Sequence, residues 1–345
     1  MPATTEPTTD PLQPTGPAAA NREEHRMART ARSGLALTVA VLSTALAVSV
    51  VAAISLGPAT MPAGDTLRYI GAALTNGTIR PDEVSDYTII WAVRTPRVLL
   101  AAVVGAGLGI IGVAVQALVR NALADPFVLG VSSGASVGAT SVVVFGAFGA
   151  LGVYALSAAA FLGALGASIL VYLAAQSRGG LSPLRLVLTG VAMAFGFQAV
   201  MSVIVFLSKD GEAARTVLFW LMGSLGAATW GSLPLAGSAV LAALVLLRRS
   251  SRSLDVLALG DETAASLGVH TEALRRRLFL LTALVTGAVV AVSGAIGFVG
   301  LVMPHLVRMV VGSGHARVLA VAPLAGARFL VWVDLVSRTL VAPQE

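Results

Sequence analysis

From Gly34 to Leu340 the chain alternates long apolar runs, most of them without a charge, with short polar breaks carrying Gly, Pro or charge. A helical run of about 20 apolar residues matches the thickness of a bilayer's hydrocarbon core. Such runs fall at 34–56, 98–119, 127–145, 154–175, 186–207, 233–247, 278–292, 294–311 and 318–340, predicting about nine spans. The second and third flank a tight polar break, Arg120-Asn121-Ala122-Leu123-Ala124-Asp125-Pro126, and make a transmembrane hairpin. Two polar stretches are longer. Residues 57–93 hold the turn signals Pro58, Pro62, Asn76-Gly77 and Pro81 and predict an extramembrane loop with a short helix near Thr66–Leu74. Residues 248–277 are a second insertion, and Thr216–Leu225 predicts an amphipathic piece.

Composition agrees with a membrane location. The chain is 56% hydrophobic and 12% charged, where soluble domains carry roughly 25% charge. A soluble core of this size lacks the charges for its coat. The absence of Cys excludes disulfides and Cys-based metal or redox centres. The formal charge of +6 is no sign of nucleic acid here, because in a membrane protein the placement of charges says more than their sum. Residues 1–20 are rich in Pro and Thr and carry almost no large apolar side chain; Arg22, Arg26, Arg29 and Arg32 follow. Residues 1–33 therefore read as a disordered basic tail, and 34–345 as one transmembrane domain. The first apolar run exceeds the 7–15 residues of a signal-peptide core, which predicts an uncleaved first helix. With the N-terminus in the cytoplasm and sides alternating, most Lys and Arg fall inside, among them Arg120, Arg248, Arg249 and Arg275–Arg277. Arg94, Arg97 and Arg338 fall outside.

Two short motifs suggest enzymes and fail on context. Gly107-Leu108-Gly109-Ile110-Ile111-Gly112 fits the dinucleotide pattern, which has meaning only between a strand and a helix; here it lies inside a span. Gly130-Val131-Ser132-Ser133-Gly134 fits a nucleophile elbow, which needs a preceding strand and a nearby His and acid. There is no P-loop, so if ATP drives transport another chain supplies the ATPase and its Mg. No catalytic residue, resident cofactor or metal ligand is assigned. Gly105, Gly109, Gly112 and Gln116 share one helical face, where small residues let helices approach closely in lipid; Gln116 either lines a pathway or bonds a neighbouring helix. The 294–311 run, with Gly294, Gly297, Gly300 and Pro304-His305, is a broken helix of the kind that lines pathways. In the last span Asp334 and Arg338 lie i,i+4 and can pair, while Arg328 falls near the middle, where a charge is costly.

The insertion Leu254–Val269 is the most informative polar stretch. It reads as two short helices broken at Gly260, the second closed by Gly268 as a C-cap. Its acidic, apolar and small residues fit a docking element for a cytoplasmic partner better than a solvated loop.

At this point the sequence resembles the permease subunits of bacterial ABC importers for iron-siderophores and vitamin B12. The resemblance rests on Arg94-Thr95-Pro96-Arg97, Gln116-Ala117-Leu118-Val119-Arg120-Asn121-Ala122-Leu123-Ala124-Asp125-Pro126, Leu129-Gly130-Val131-Ser132-Ser133-Gly134-Ala135, Leu257-Ala258-Leu259-Gly260 through Ser266-Leu267-Gly268, and Gly294-Ala295-Ile296-Gly297-Phe298-Val299-Gly300-Leu301-Val302-Met303-Pro304-His305. It covers roughly residues 35–345. It implies an all-α polytopic membrane protein of the vitamin B12 transporter type. Two permeases pair as a homo- or heterodimer around a central pathway, above two ATPase subunits and below an extracytoplasmic substrate-binding protein. It further implies that Asp255, Leu259, Gly260, Asp261, Glu262, Ser266, Leu267 and Gly268 couple to the ATPase. Arg94, Arg97 and Arg338 would meet the binding protein, and Gly105, Gly109, Gly112, Gln116, Gly297 and Pro304 would line the pathway or pack helices. The family has ten spans, so the last family helix is expected to be missing here.

The function expected is therefore the non-enzymatic, membrane-spanning subunit of an ATP-driven importer of ferric siderophores in the bacterial plasma membrane. Cobalamin or haem as cargo, and a proton- or sodium-coupled secondary transporter, are the alternatives. The last would carry ionisable groups at mid-membrane, where only Arg328 qualifies.

Overall fold

A computed structural model describes residues 17–57, 60–176, 180–208 and 211–340. The expectations for residues 1–16, for Arg178-Gly179, for Lys209-Asp210 and for 341–345 lie outside the described residues. Those described are almost entirely helical, and no strand occurs among them.

Helix α1, Pro17–Ser55, begins earlier than the apolar run. Residues 17–33, expected to be disordered, continue the helix, with Pro17 at the start where a missing N–H costs nothing. The first polar stretch holds α2 (Ala63–Thr75) and α3 (Val84–Thr88). A π-helical turn, Ile89–Arg94, then leads into α4, Thr95–Val119. The hairpin partner α5 spans Val131–Phe145 and is followed by α6 (Ala155–Ala175), α7 (Pro183–Phe206) and α8 (Gly211–Met222). Helix α9, Leu233–Arg249, leads to the two short helices α10 (Ser251–Ala258) and α11 (Asp261–Ser266). Helices α12 (Thr271–Ser293), α13 (Val299–Val311) and α14 (His315–Leu340) complete the bundle.

Among the described residues, seven helical segments are long and apolar enough to cross a membrane, and α5 and α13 are shorter apolar helices. Together they match the nine predicted runs, but two begin later than expected. The run from Phe127 opens with a 3₁₀ turn, Pro126–Leu129, and turns into α5 through Gly130 at φ 74°. The run from Gly294 stays out of the helix until Val299, folded into two tight turns, because Gly294 and Phe298 both sit at positive φ, 65° and 67°. A non-glycine residue at positive φ leaves no signal in composition.

Helix α4 is the axis of the bundle. Of its most apolar window 78% is buried, against 67% for α12 and α14, 17% for α1 and 11% for α7. A Cβ at Gly109 would stand 2.7 Å from the Ala322 carbonyl oxygen of α14, and one at Gly105 would overlap that of Gly326. At Gly112 it would overlap the Gly300 carbonyl of α13. Pro304, four residues on, has no N–H to give that carbonyl, so the oxygen freed by the proline lies against the glycine of the neighbouring helix. With lipid as apolar as the helices, such close backbone approach is what holds the pair together.

Candidate functional site

One end of the bundle carries the three arginines expected to meet a binding protein, and it brings them together. Arg94 donates from Nη1 to the Ile54 and Ser55 carbonyls at 3.1 and 3.2 Å. Arg97 Nε pairs with Asp334 Oδ1 at 2.8 Å. Arg338 donates to the Ala53 carbonyl, with its Nε 3.5 Å from Asp334 Oδ2. Arg94 and Arg338 are buried, and Arg97 keeps 15% of its side chain exposed. All three guanidiniums thus bond inward in this structure, tying the C-terminal end of α1 to α4 and α14. Trp332 adds a fourth tie, from Nε1 to Ser49 Oγ at 2.9 Å. The expected i,i+4 pairing of Asp334 with Arg338 is present and shared with Arg97.

Arg97 and Asp334 also line a cavity of about 860 Å³ with Phe219, Met222, Ser224 and Ile296. Its walls come from α4, α8, α14 and the non-helical turn after α12. Gly297 is part of that turn and of the cavity wall. Beside this end, Arg68 pairs with Glu83 at 2.8 Å and Asp65 at 3.3 Å, and Arg80 also reaches Glu83. The hydrogen bond to Glu83 raises the Arg68 pKa above the ordinary guanidinium value, so this group stays charged throughout the working pH range.

Gln116 bonds neighbouring helix α13, where its amide donates to the Leu301 carbonyl at 3.2 Å and its oxygen accepts from Arg308. Pro304 is buried within α13, whereas His305 and Arg328 face outward. No cluster of His, Asp and Glu able to hold a metal ion occurs among the described residues.

The insertion lies at the opposite end. Gly260 adopts φ 113°, ψ 164°, open in practice to glycine alone, and this breaks the stretch into α10 and α11. Gly268, at φ 80°, closes α11, and the Val269 amide returns to the Ala264 carbonyl at 2.9 Å. Leu254, Leu257 and Ala264 are fully buried and seat the insertion on the bundle. Leu259, Glu262, Ser266, Leu267 and Gly268 face outward, with Leu259 and Leu267 exposed at 66% and 61%.

The two aspartates point the other way. Asp255 Oδ1 accepts from the His315 backbone amide at 2.9 Å and lies 2.7 Å from His315 Nδ1. Asp261 takes Arg275 in a fork, at 2.5 and 3.1 Å, and has Arg120 at 3.7 Å. Sequence reasoning did not single out Arg120, Arg275 and His315 as partners. One signal was there: Arg275 lies in the N-terminal part of α12, where the helix dipole disfavours cations, and so calls for an acidic neighbour.

This is the architecture of a membrane permease: a helical bundle with a packed axis, a short-helix insertion at one end and a cavity at the other. The chain belongs to the FecCD transport family, whose model matches residues 45–345. It is 44% identical over 260 residues to a hemin transport system permease of Yersinia pestis, covering 74% of this chain and 77% of that protein. It is 36% identical to an Fe(3+)-citrate import system permease of Bacillus subtilis, over 76% and 77% of the two chains. A vitamin B12 import system permease of Vibrio cholerae is 40% identical, over 73% and 75%. Among solved structures, a metal-chelate type ABC transporter in an inward-facing conformation superposes with a TM-score of 0.76 and 30% identity, over 90% of this chain and 93% of that one. The protein is thus an ABC importer permease, a non-enzymatic transporter component of the inner membrane.

Proposed function

We propose that this permease moves ferric siderophores across the plasma membrane by alternating access. It pairs with a second permease, two ATPase subunits carry the ATP and Mg, and an extracytoplasmic binding protein delivers the cargo. The N-terminus and the insertion lie in the cytoplasm, in keeping with the basic residues near both. The observation that carries this reading is the insertion: two apolar side chains, Leu259 and Leu267, exposed on a pair of short helices whose opposite faces are buried in the core. Leucines held in water on a rigid seat fit a partner surface. The end carrying Arg94, Arg97 and Arg338 is proposed as the face that receives the binding protein.

The choice of a ferric siderophore rests on the family and on the iron-chelate relatives, and uptake tests it. A strain deleted for the gene and complemented with it should regain uptake of radiolabelled iron-siderophore but not of labelled cobalamin or hemin. Recovery of hemin or cobalamin uptake instead would move the cargo, and recovery of none would remove the substrate assignment. Changing Leu259 and Leu267 together to Asp should weaken co-purification with the ATPase by about tenfold or more, since burying one leucine contributes about 1.5–3 kcal/mol. Undiminished co-purification would place the ATPase contact elsewhere.

A further inference from the structure

We infer that Asp255 and Asp261 are positioning residues that carry the motion of the insertion into the cavity walls, acting inward on the bundle and not as contacts to the ATPase. This rests on the coupling reading above and sharpens it. Each carboxylate fastens the insertion to a span that ends at or beside the cavity. Asp255 holds the first residue of α14 by both its backbone amide and its ring nitrogen. Helix α14 has 26 residues, about 39 Å at 1.5 Å per residue. Its far end supplies Leu330, Val333, Asp334 and Ser337 to the cavity.

Asp261 holds Arg275 at the start of α12. Arg275 is buried and lies 3.5 Å from the Leu181 carbonyl as well, so the fork is anchored on both sides. The far end of α12 runs into the Gly294–Phe298 turn, whose Ala295, Ile296 and Gly297 form another wall. Asp261 also lies near Arg120, which ends α4 at φ 56°; the other end of α4 bears Arg97. The insertion is thus clasped to the three most buried spans, α4, α12 and α14. The least buried spans, α1 and α7, receive neither clasp. Packed protein interiors have low compressibility and transmit strain, so displacing the insertion displaces the cavity walls.

The lack of native cysteine makes a clean test possible. A single Ser337→Cys, on the cavity wall, is labelled with a water-soluble maleimide in the assembled complex with its ATPase. The labelling rate is read without nucleotide and with ATP plus vanadate, and complexes are compared at equal ATPase content. In the Ser337→Cys parent, trapping nucleotide should change the rate. Added Asp255→Ala or Asp261→Ala should shrink that change by about fivefold or more, the lower end of usual coupling between sites. The exchanged pair Asp261→Arg with Arg275→Asp should restore part of it, which a loss of mere bulk would not allow. If Asp261→Ala, which leaves the buried Arg275 without its carboxylate, lowers the yield of complex, Asp255→Ala carries the test alone. A full response in the alanine variants overturns the inference and leaves the docking reading standing. No response in the parent itself overturns the coupling reading from which it starts.

Discussion

Helices α4 and α7 are both apolar enough to cross a membrane, with mean hydropathy 2.6 and 1.9 in their best windows, yet 78% of one window is buried and 11% of the other. Hydropathy therefore says that a helix enters the bilayer and nothing about what it faces there. In water an apolar face seeks cover; in lipid it already has it, and association needs something else. On α4 that something is the small-residue face through Gly105, Gly109 and Gln116 and the neighbouring Gly112, where three backbones approach closely. On α7 Gly190 meets the Val128 carbonyl, but Gly196 has open space around it, and Phe195 and Phe206 stand 72% and 86% exposed.

The comparison can be broken at several points. The largest effect is expected from Gly112→Leu, because a Cβ there would already overlap the Gly300 carbonyl oxygen, a backbone atom that cannot swing aside: α4 and α13 could not keep their approach, and folded yield in detergent should collapse. Gly196→Leu on α7 should leave that yield unchanged. A well-behaved Gly112→Leu would mean that α4 is not the packed axis. Next comes Asp334→Ala, which leaves Arg97 and Arg338 without their carboxylate; removing one partner of a buried pair costs about 3–5 kcal/mol, read as a lower melting temperature. Gln116→Leu gives up its bonds to Leu301 and Arg308 and should cost about 1–3 kcal/mol by the same measurement. Phe195→Ala is expected to change stability by less than about 0.5 kcal/mol in the isolated subunit. A larger loss appearing only in the assembled transporter would identify α7 as a subunit contact.

Much of the fold was legible because each span is a continuous apolar run bounded by charge, Gly or Pro, and the two halves of the insertion were legible because Gly260 and Gly268 punctuate them. The starts of α5 and α13 were not, since they depend on left-handed backbone at Gly130 and Phe298 imposed by packing. The helical course of residues 17–33 was hidden by a composition poor in apolar side chains. At the site, the sequence placed Arg94, Arg97 and Arg338 at one end but said nothing of direction. That direction is set by the Ile54 and Ala53 carbonyls, remote in the chain from Arg94 and Arg338, and by Asp334, which is remote from Arg97 although only one helical turn from Arg338. Asp255 and Asp261 were equally ambiguous: short acidic side chains on short helices point in or out according to partners many residues away.

The seam between Gly105 and Gly326 also sets a timetable. The two glycines are separated by roughly 220 residues, and at about 5–20 residues per second a ribosome needs roughly 10–40 s to make the second after the first. Through that interval α4 waits in the bilayer with its narrow side open to lipid and to chance neighbours. The membrane insertion machinery must deliver α13 and α14 before another helix settles into the groove.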